Sequence, residues 1–169
     1  MIITQQQLEQ DILNWIINFV EVKNPALGDW PPCPYARQAR LKGTYEARIG
    51  TNPISDLLDI WRTGLGNMEV IAIAYDPNTW DHKTFSSALD FANREFLLSK
   101  DILVLEDHPH DPEIVNGVSM NQGTYALALV QGLSDLNKKA SFMARQGFYD
   151  AWPEDYLTML FQHRKDPRQ

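Results

Sequence analysis

Apolar residues follow two rhythms along this chain. Leu8, Ile12, Trp15, Ile16, Phe19 and Val20 recur at three- and four-residue steps, which predicts an amphipathic helix over residues 5–22. Thr4 and Gln7 fit a capping box at its start. "TYEARIG" (44–50) instead alternates polar and apolar positions, as a strand with one solvated face does. "MEVIAIAY" (68–75) and "DILVLED" (101–107) are nearly continuous apolar runs, expected of strands covered on both faces, and "TYALALVQ" (124–131) reads as a fourth strand.

Between the strands the helical period returns. Asn52 or Ser55 opens a helix striped by Ile54, Leu57, Leu58, Trp61 and Leu65 and stopped by Gly64 and Gly66. A second runs from "DPNTWDHK" to residue 98 with Phe85, Leu89, Phe91, Ala92, Phe96 and Leu97 apolar, and Asp81 caps its start. "LSDLNKKASFMARQ" and "PEDYLTMLFQHR" give two more, with Gly147 between them and Pro153 at the start of the last. "PYARQARL" is a short helix opened by Pro34. Strands alternating with helices imply an α/β (or α+β) layered fold, with a roughly four-stranded mixed sheet covered by helices. Residues 1–169 read as one domain, with residues 165–169 as a frayed tail.

Composition narrows the possibilities further. Hydrophobic residues are 44% and charged residues 22% of the 169, ordinary values for a globular chain. A net charge of −7 argues against a protein built to grip nucleic acid or an anionic membrane. No run approaches the roughly 18 apolar residues of a membrane span. With no signal-peptide pattern in "MIITQQQLEQ", a cytoplasmic location is expected. A single cysteine excludes an internal disulfide and a Cys-rich zinc or iron–sulfur site.

Three clusters could carry chemistry. In "CPYARQARLKG", Cys33 precedes a helix start, where unpaired N–H groups favour a thiolate. Arg37, Arg40, Lys42 and Arg48 follow against one acid, Glu46, a local reversal of the chain's sign that suits a phosphate or carboxylate. The bland reading is a small buried hydrophobe followed by solvated arginines. In "EDHPHDPE" (106–113), His108 and His110 follow a buried strand, where ligands of α/β sheets tend to sit. They could act as acid, base or, with Asp107 or Asp111, metal ligands. The spacing matches no established metal motif, so no metal ligand is assigned. "NGVSMNQGTY" offers a turn at Asn116-Gly117, then Asn121, Gln122 and Tyr125 as ligand-orienting side chains or merely a turn before an edge strand. No dinucleotide, P-loop or nucleophile-elbow signature occurs, so no cofactor is assigned.

The sequence Cys33-Pro34-Tyr35-Ala36, the His108-Pro109 pair and the Asn121 turn together resemble an uncharacterised bacterial domain-of-unknown-function family with a Cys-Pro-Phe-Ala signature. Tyr35 stands where that family has phenylalanine, and "NQGTYALAL" lacks the arginine- and proline-bearing strand start it would have. The resemblance implies that the cysteine motif and the His-Pro loop lie together in space. The expectation is then a cleft formed by residues 33–48 and 106–125 that binds a small anionic ligand. In it Arg37, Arg40, Arg48, Asn121 and Tyr125 would hold the ligand, and Cys33, His108 and His110 would carry any catalysis. The alternative is a non-catalytic interaction or regulatory protein that binds another protein or a second copy of itself through Trp30, Trp80, Tyr149 and Trp152 as exposed aromatics.

Overall fold

A computed structural model describes the chain at residue 1 and residues 3–169. Six α-helices surround a mixed four-stranded sheet. The elements run α1 (Gln5–Trp15), α2 (Ala36–Lys42), β1 (Tyr45–Ile49), α3 (Pro53–Thr63), β2 (Val70–Tyr75), α4 (His82–Ala92), β3 (Ile102–Asp107), the two-residue β4 (Ile114–Val115) and β5 (Val118–Ser119), β6 (Ala126–Gly132), α5 (Leu133–Arg145) and α6 (Glu154–Leu160). The sheet order is β1-β2-β6-β3, with β1 parallel to β2 and β6 antiparallel to both neighbours. Among the described residues no helix is long and apolar enough to cross a membrane.

The caps form where the residue types place them. Asn52 Oδ1 accepts from the N–H groups of Ile54 and Ser55, and Asp81 accepts from the N–H of Thr84. One strand takes an unexpected place. β6 is central and β3 is at the edge, so the run "DILVLED" is apolar without being interior to the sheet. Its free edge is answered by Asn93, just past α4, whose side chain donates to Val104 O and accepts from Val104 N at 2.9 Å each. The buried amide thus substitutes for a neighbouring strand.

The two faces of the sheet are filled differently. Ile71, Ile73, Ala128, Val130 and Val104 pack directly against Leu57, Ile60, Phe85 and Leu89 of α3 and α4. On the other face, α1 covers Ala47, Ala74 and Leu127 through Leu8, Ile12 and Ile16. Beside it a third cluster joins α5, α6 and the aromatic segment between them, with Leu27 and Val115, and no strand of the main sheet contributes to it. That layer stands off from the sheet, and the space between them is the cavity described below.

The segment between β3 and β6, where the sequence marks a turn at Asn116-Gly117, contains the β4–β5 hairpin. Asn116 and Gly117 both take positive φ (51° and 81°) at its turn, as a tight hairpin requires. Asn116 Nδ2 also donates to Ala26 O and Ala151 O, tying the tip to the third cluster. At the chain end, where fraying was expected, Arg168 pairs with Asp166 and Glu154 at 2.7 and 2.6 Å.

Candidate functional site

A cavity of about 460 Å³ lies between the second face of the sheet and the α5–α6 layer. That is within the range of small-molecule sites, roughly 300–1,000 Å³. Ala72, Leu103, Leu105 and Leu129 form its floor. Met143, Phe148, Tyr149 and Trp152 form the roof, and Trp15 and Ile16 close one side. The alternation of each strand dictates this lining: Leu103, Leu105 and Leu129 stand on the face opposite to Val104, Ala128 and Val130.

A few polar groups interrupt the apolar wall. Cys33 is tied to the wider helical turn Ile16–Val20 that continues α1, its N–H donating to Val20 O at 3.1 Å. Its side chain is accessible and forms part of the cavity wall. Desolvation there pushes the thiol pKa up, against the smaller opposite pull of the Tyr35 and Ala36 N–H groups. Lys139 also lines the cavity, and Glu69 and Asp135 each pair with it at 2.7 Å. Arg164 differs from both. It lines the cavity beside Tyr149, burial pulls its pKa down, and among the described residues no carboxylate pairs with it. Its Nε is shielded from solvent and bonds to nothing, as are the indole N–H groups of Trp15 and Trp152. Three buried donors of the lining thus lack an acceptor.

Carboxylates gather on the lining contributed by β3 and the hairpin. Glu113 accepts from the Tyr156 hydroxyl at 2.9 Å, and burial pushes its pKa up to about 7. Asp107 is buried and accepts from Asn121 Nδ2 and Gln122 N–H, yet desolvation still raises its pKa. Glu106, on the opposite face of β3 with Val104 and at 26% side-chain exposure, is raised for the same reason.

The residues expected to bind an anion are mostly elsewhere. Arg40 forms a two-pronged pair with Glu21 at 2.8 and 2.7 Å, Arg37 is exposed, and Arg48 pairs with Glu46 on the exposed face of β1. None of the three lines the cavity. His108 is 1% exposed and fully engaged: Nε2–H donates to Trp80 O at 2.7 Å and Nδ1 accepts from His110 N–H at 3.1 Å. It clamps the loop against the segment preceding α4 and does not share the cavity with Cys33. His110 is exposed beside it, the rings 5.2 Å apart.

Asn121 is a loop organiser. Its Oδ1 accepts from Glu113 N–H, and its Nδ2 serves Asp107 Oδ1 and the carbonyls of His108 and Asp111. Tyr125 is buried under α1, where its hydroxyl bonds to Asp11. Asp107 and Glu113 of the 106–113 segment thus line the same cavity as Cys33, whereas Asp111, His108 and His110 do not. The aromatics expected to be exposed are packed as well. Tyr149 and Trp152 are 8% accessible, and Trp30 and Trp80 lie half-buried against the core clusters.

No family model, curated protein or solved structure matches the chain.

Proposed function

We propose that the cavity binds a small, largely apolar molecule bearing an anionic group, such as an aliphatic or aromatic carboxylic acid. The observation that carries this reading is Arg164, a half-buried cation with no carboxylate partner among the described residues, on the wall of a largely apolar chamber of about 460 Å³. Arg164 lies over the Phe161 ring at 5.0 Å, but its sealed Nε–H lacks an acceptor, and an incoming carboxylate would offset that cost with charge-assisted hydrogen bonds. The anion site is therefore assigned to Arg164 and Tyr149, in place of Arg37 and Arg40. The partly protonated Glu113 on another part of the lining would hydrogen-bond a neutral polar group of the same ligand.

The test is a thermal-shift comparison of carboxylic acids with their methyl esters, in the wild-type protein and in Arg164→Met. An acid at a hundred times its Kd would stabilise the wild type by about 2.7 kcal/mol, raising Tm by roughly 5–10 °C, and its ester would not. The variant would lose this preference. Equal shifts for acid and ester in the wild type, or an unchanged preference in Arg164→Met, would refute the reading.

A further inference from the structure

Outside the ligand reading, a second group of side chains converges at the C-terminal end of β3. His82 is the first residue of α4, Glu106 is the second-last residue of β3, and Asp111 lies in the loop that follows. One ligating atom from each lies within 4.8 Å of the other two. His82 Nε2 is 3.0 Å from Asp111 Oδ2 and 3.7 Å from Glu106 Oε1. Around a tetrahedral ion with bonds of about 2.0–2.1 Å, neighbouring ligand atoms stand about 3.3–3.4 Å apart. The two observed spacings straddle that value, so small side-chain movements suffice to close the group on an ion.

A second observation points the same way. Glu106 Oε2 is sealed from solvent and accepts no hydrogen bond. A buried carboxylate oxygen without a donor is unfavourable, and a cation bridging Glu106 to its neighbours would compensate it. His108 contributes from behind. Its bond to Trp80 O fixes the backbone two residues before His82, and its ring lies 5.8 Å from that of His82.

We infer that His82, Glu106 and Asp111 form a binding site for a divalent first-row transition ion. One imidazole and two carboxylates favour Zn²⁺, Co²⁺ or Mn²⁺ over Mg²⁺, and three protein ligands leave a coordination position open. The ligands are not those the pattern "HPH" suggests. His108 has both nitrogens occupied, and the histidine of the set comes from a helix 24 residues earlier in the chain than Glu106.

Isothermal titration of the full chain with Zn²⁺, and absorption spectra with Co²⁺, test the site. Saturable binding of one ion per chain is expected, with a Co²⁺ spectrum free of thiolate charge transfer and no heat from Mg²⁺ at equal concentration. Since removing an outer-shell partner already weakens metal sites roughly 10–100-fold, His82→Ala and Asp111→Asn should each lose about a hundredfold or more. Both positions are more than a third exposed, so the variants should melt with the metal-free wild type, and each checks the other. Absence of one-to-one binding in the wild type would overturn the proposal. So would wild-type zinc affinity in both variants, or a thiolate band that places the ion at Cys33.

Discussion

Replacing Glu113 by glutamine isolates one buried carboxyl and turns its environment into a measurable slope. The side chain faces Tyr156, whose hydroxyl donates to it at 2.9 Å, and its pKa is raised from an ordinary 4.5 to about 7 because burial penalises the charged form. A carboxyl raised in the folded state binds more protons there than in the unfolded chain, so between those two pKa values stability falls as pH rises. The contribution is whole below pH 4.5 and lost by the time the pH has passed 7. At about 1.36 kcal/mol per pKa unit the interval corresponds to about 3.4 kcal/mol, of which about 2.5 kcal/mol falls between pH 5 and pH 8.

Glutamine keeps the acceptor for Tyr156 and cannot ionise. Urea unfolding at pH 5, 6, 7 and 8 should therefore show Glu113→Gln close to the wild type at pH 5 and increasingly more stable above it. With a slope near 2 kcal/mol/M, the midpoints would separate by about 1 M between the ends of the series. Asp107 and Glu106 tilt both curves the same way, since their pKa values are also raised, but the difference between the two proteins cancels them. Curves that stay parallel across the range would refute the assigned burial of Glu113. A variant that loses ground as pH rises would reverse its sign.

Two further outcomes follow from packing. A methyl group at Gly50 would meet the buried Tyr75 ring at 2.3 Å and Ile73 Cγ2 at 2.7 Å, so Gly50→Ala should cost about 1–3 kcal/mol and lower Tm by roughly 2–12 °C; an unchanged melting curve would contradict the close approach. Cys33, on the cavity wall with a raised pKa, should react with iodoacetamide at pH 7 more slowly than a free thiol, and a reaction as fast as that of an activated thiolate would show that the helix start outweighs desolvation.

Periodicity made the layers readable, because the rhythm that buries a stripe also names the element. The four strands, the helices between them and the caps at Asn52 and Asp81 stand where residue types predict. Strand order did not follow from the same information. "ILVLED" and "ALALVQG" are equally apolar, and what makes β3 an edge is the partner it lacks, a role taken by the Asn93 side chain across 11 residues. The cavity was equally hidden, since it arises from two layers that stand apart and leaves no mark on either stripe.

The arginines show where a finer reading of pattern would have changed the site. Glu46 and Arg48 are two apart on one strand, hence on one face, so their pairing at 2.5 Å follows from the same alternation that identified β1. Arg40 and Glu21 are 19 residues apart and meet only through the fold. Arg164 carries the opposite lesson. It follows Leu157, Leu160 and Phe161 by seven, four and three residues, the spacing of an apolar helical stripe, although α6 ends at Leu160 and Arg164 sits in the turn just beyond it. Lys139 likewise stands in register with Leu136, Ala140 and Met143. A cation on the apolar side of an amphipathic helix either meets a buried partner or faces an enclosed space. Lys139 meets Glu69 and Asp135. For Arg164 the described residues offer no carboxylate, only the Phe161 ring at 5.0 Å, and in the proposed function the anionic ligand would supply the counter-charge.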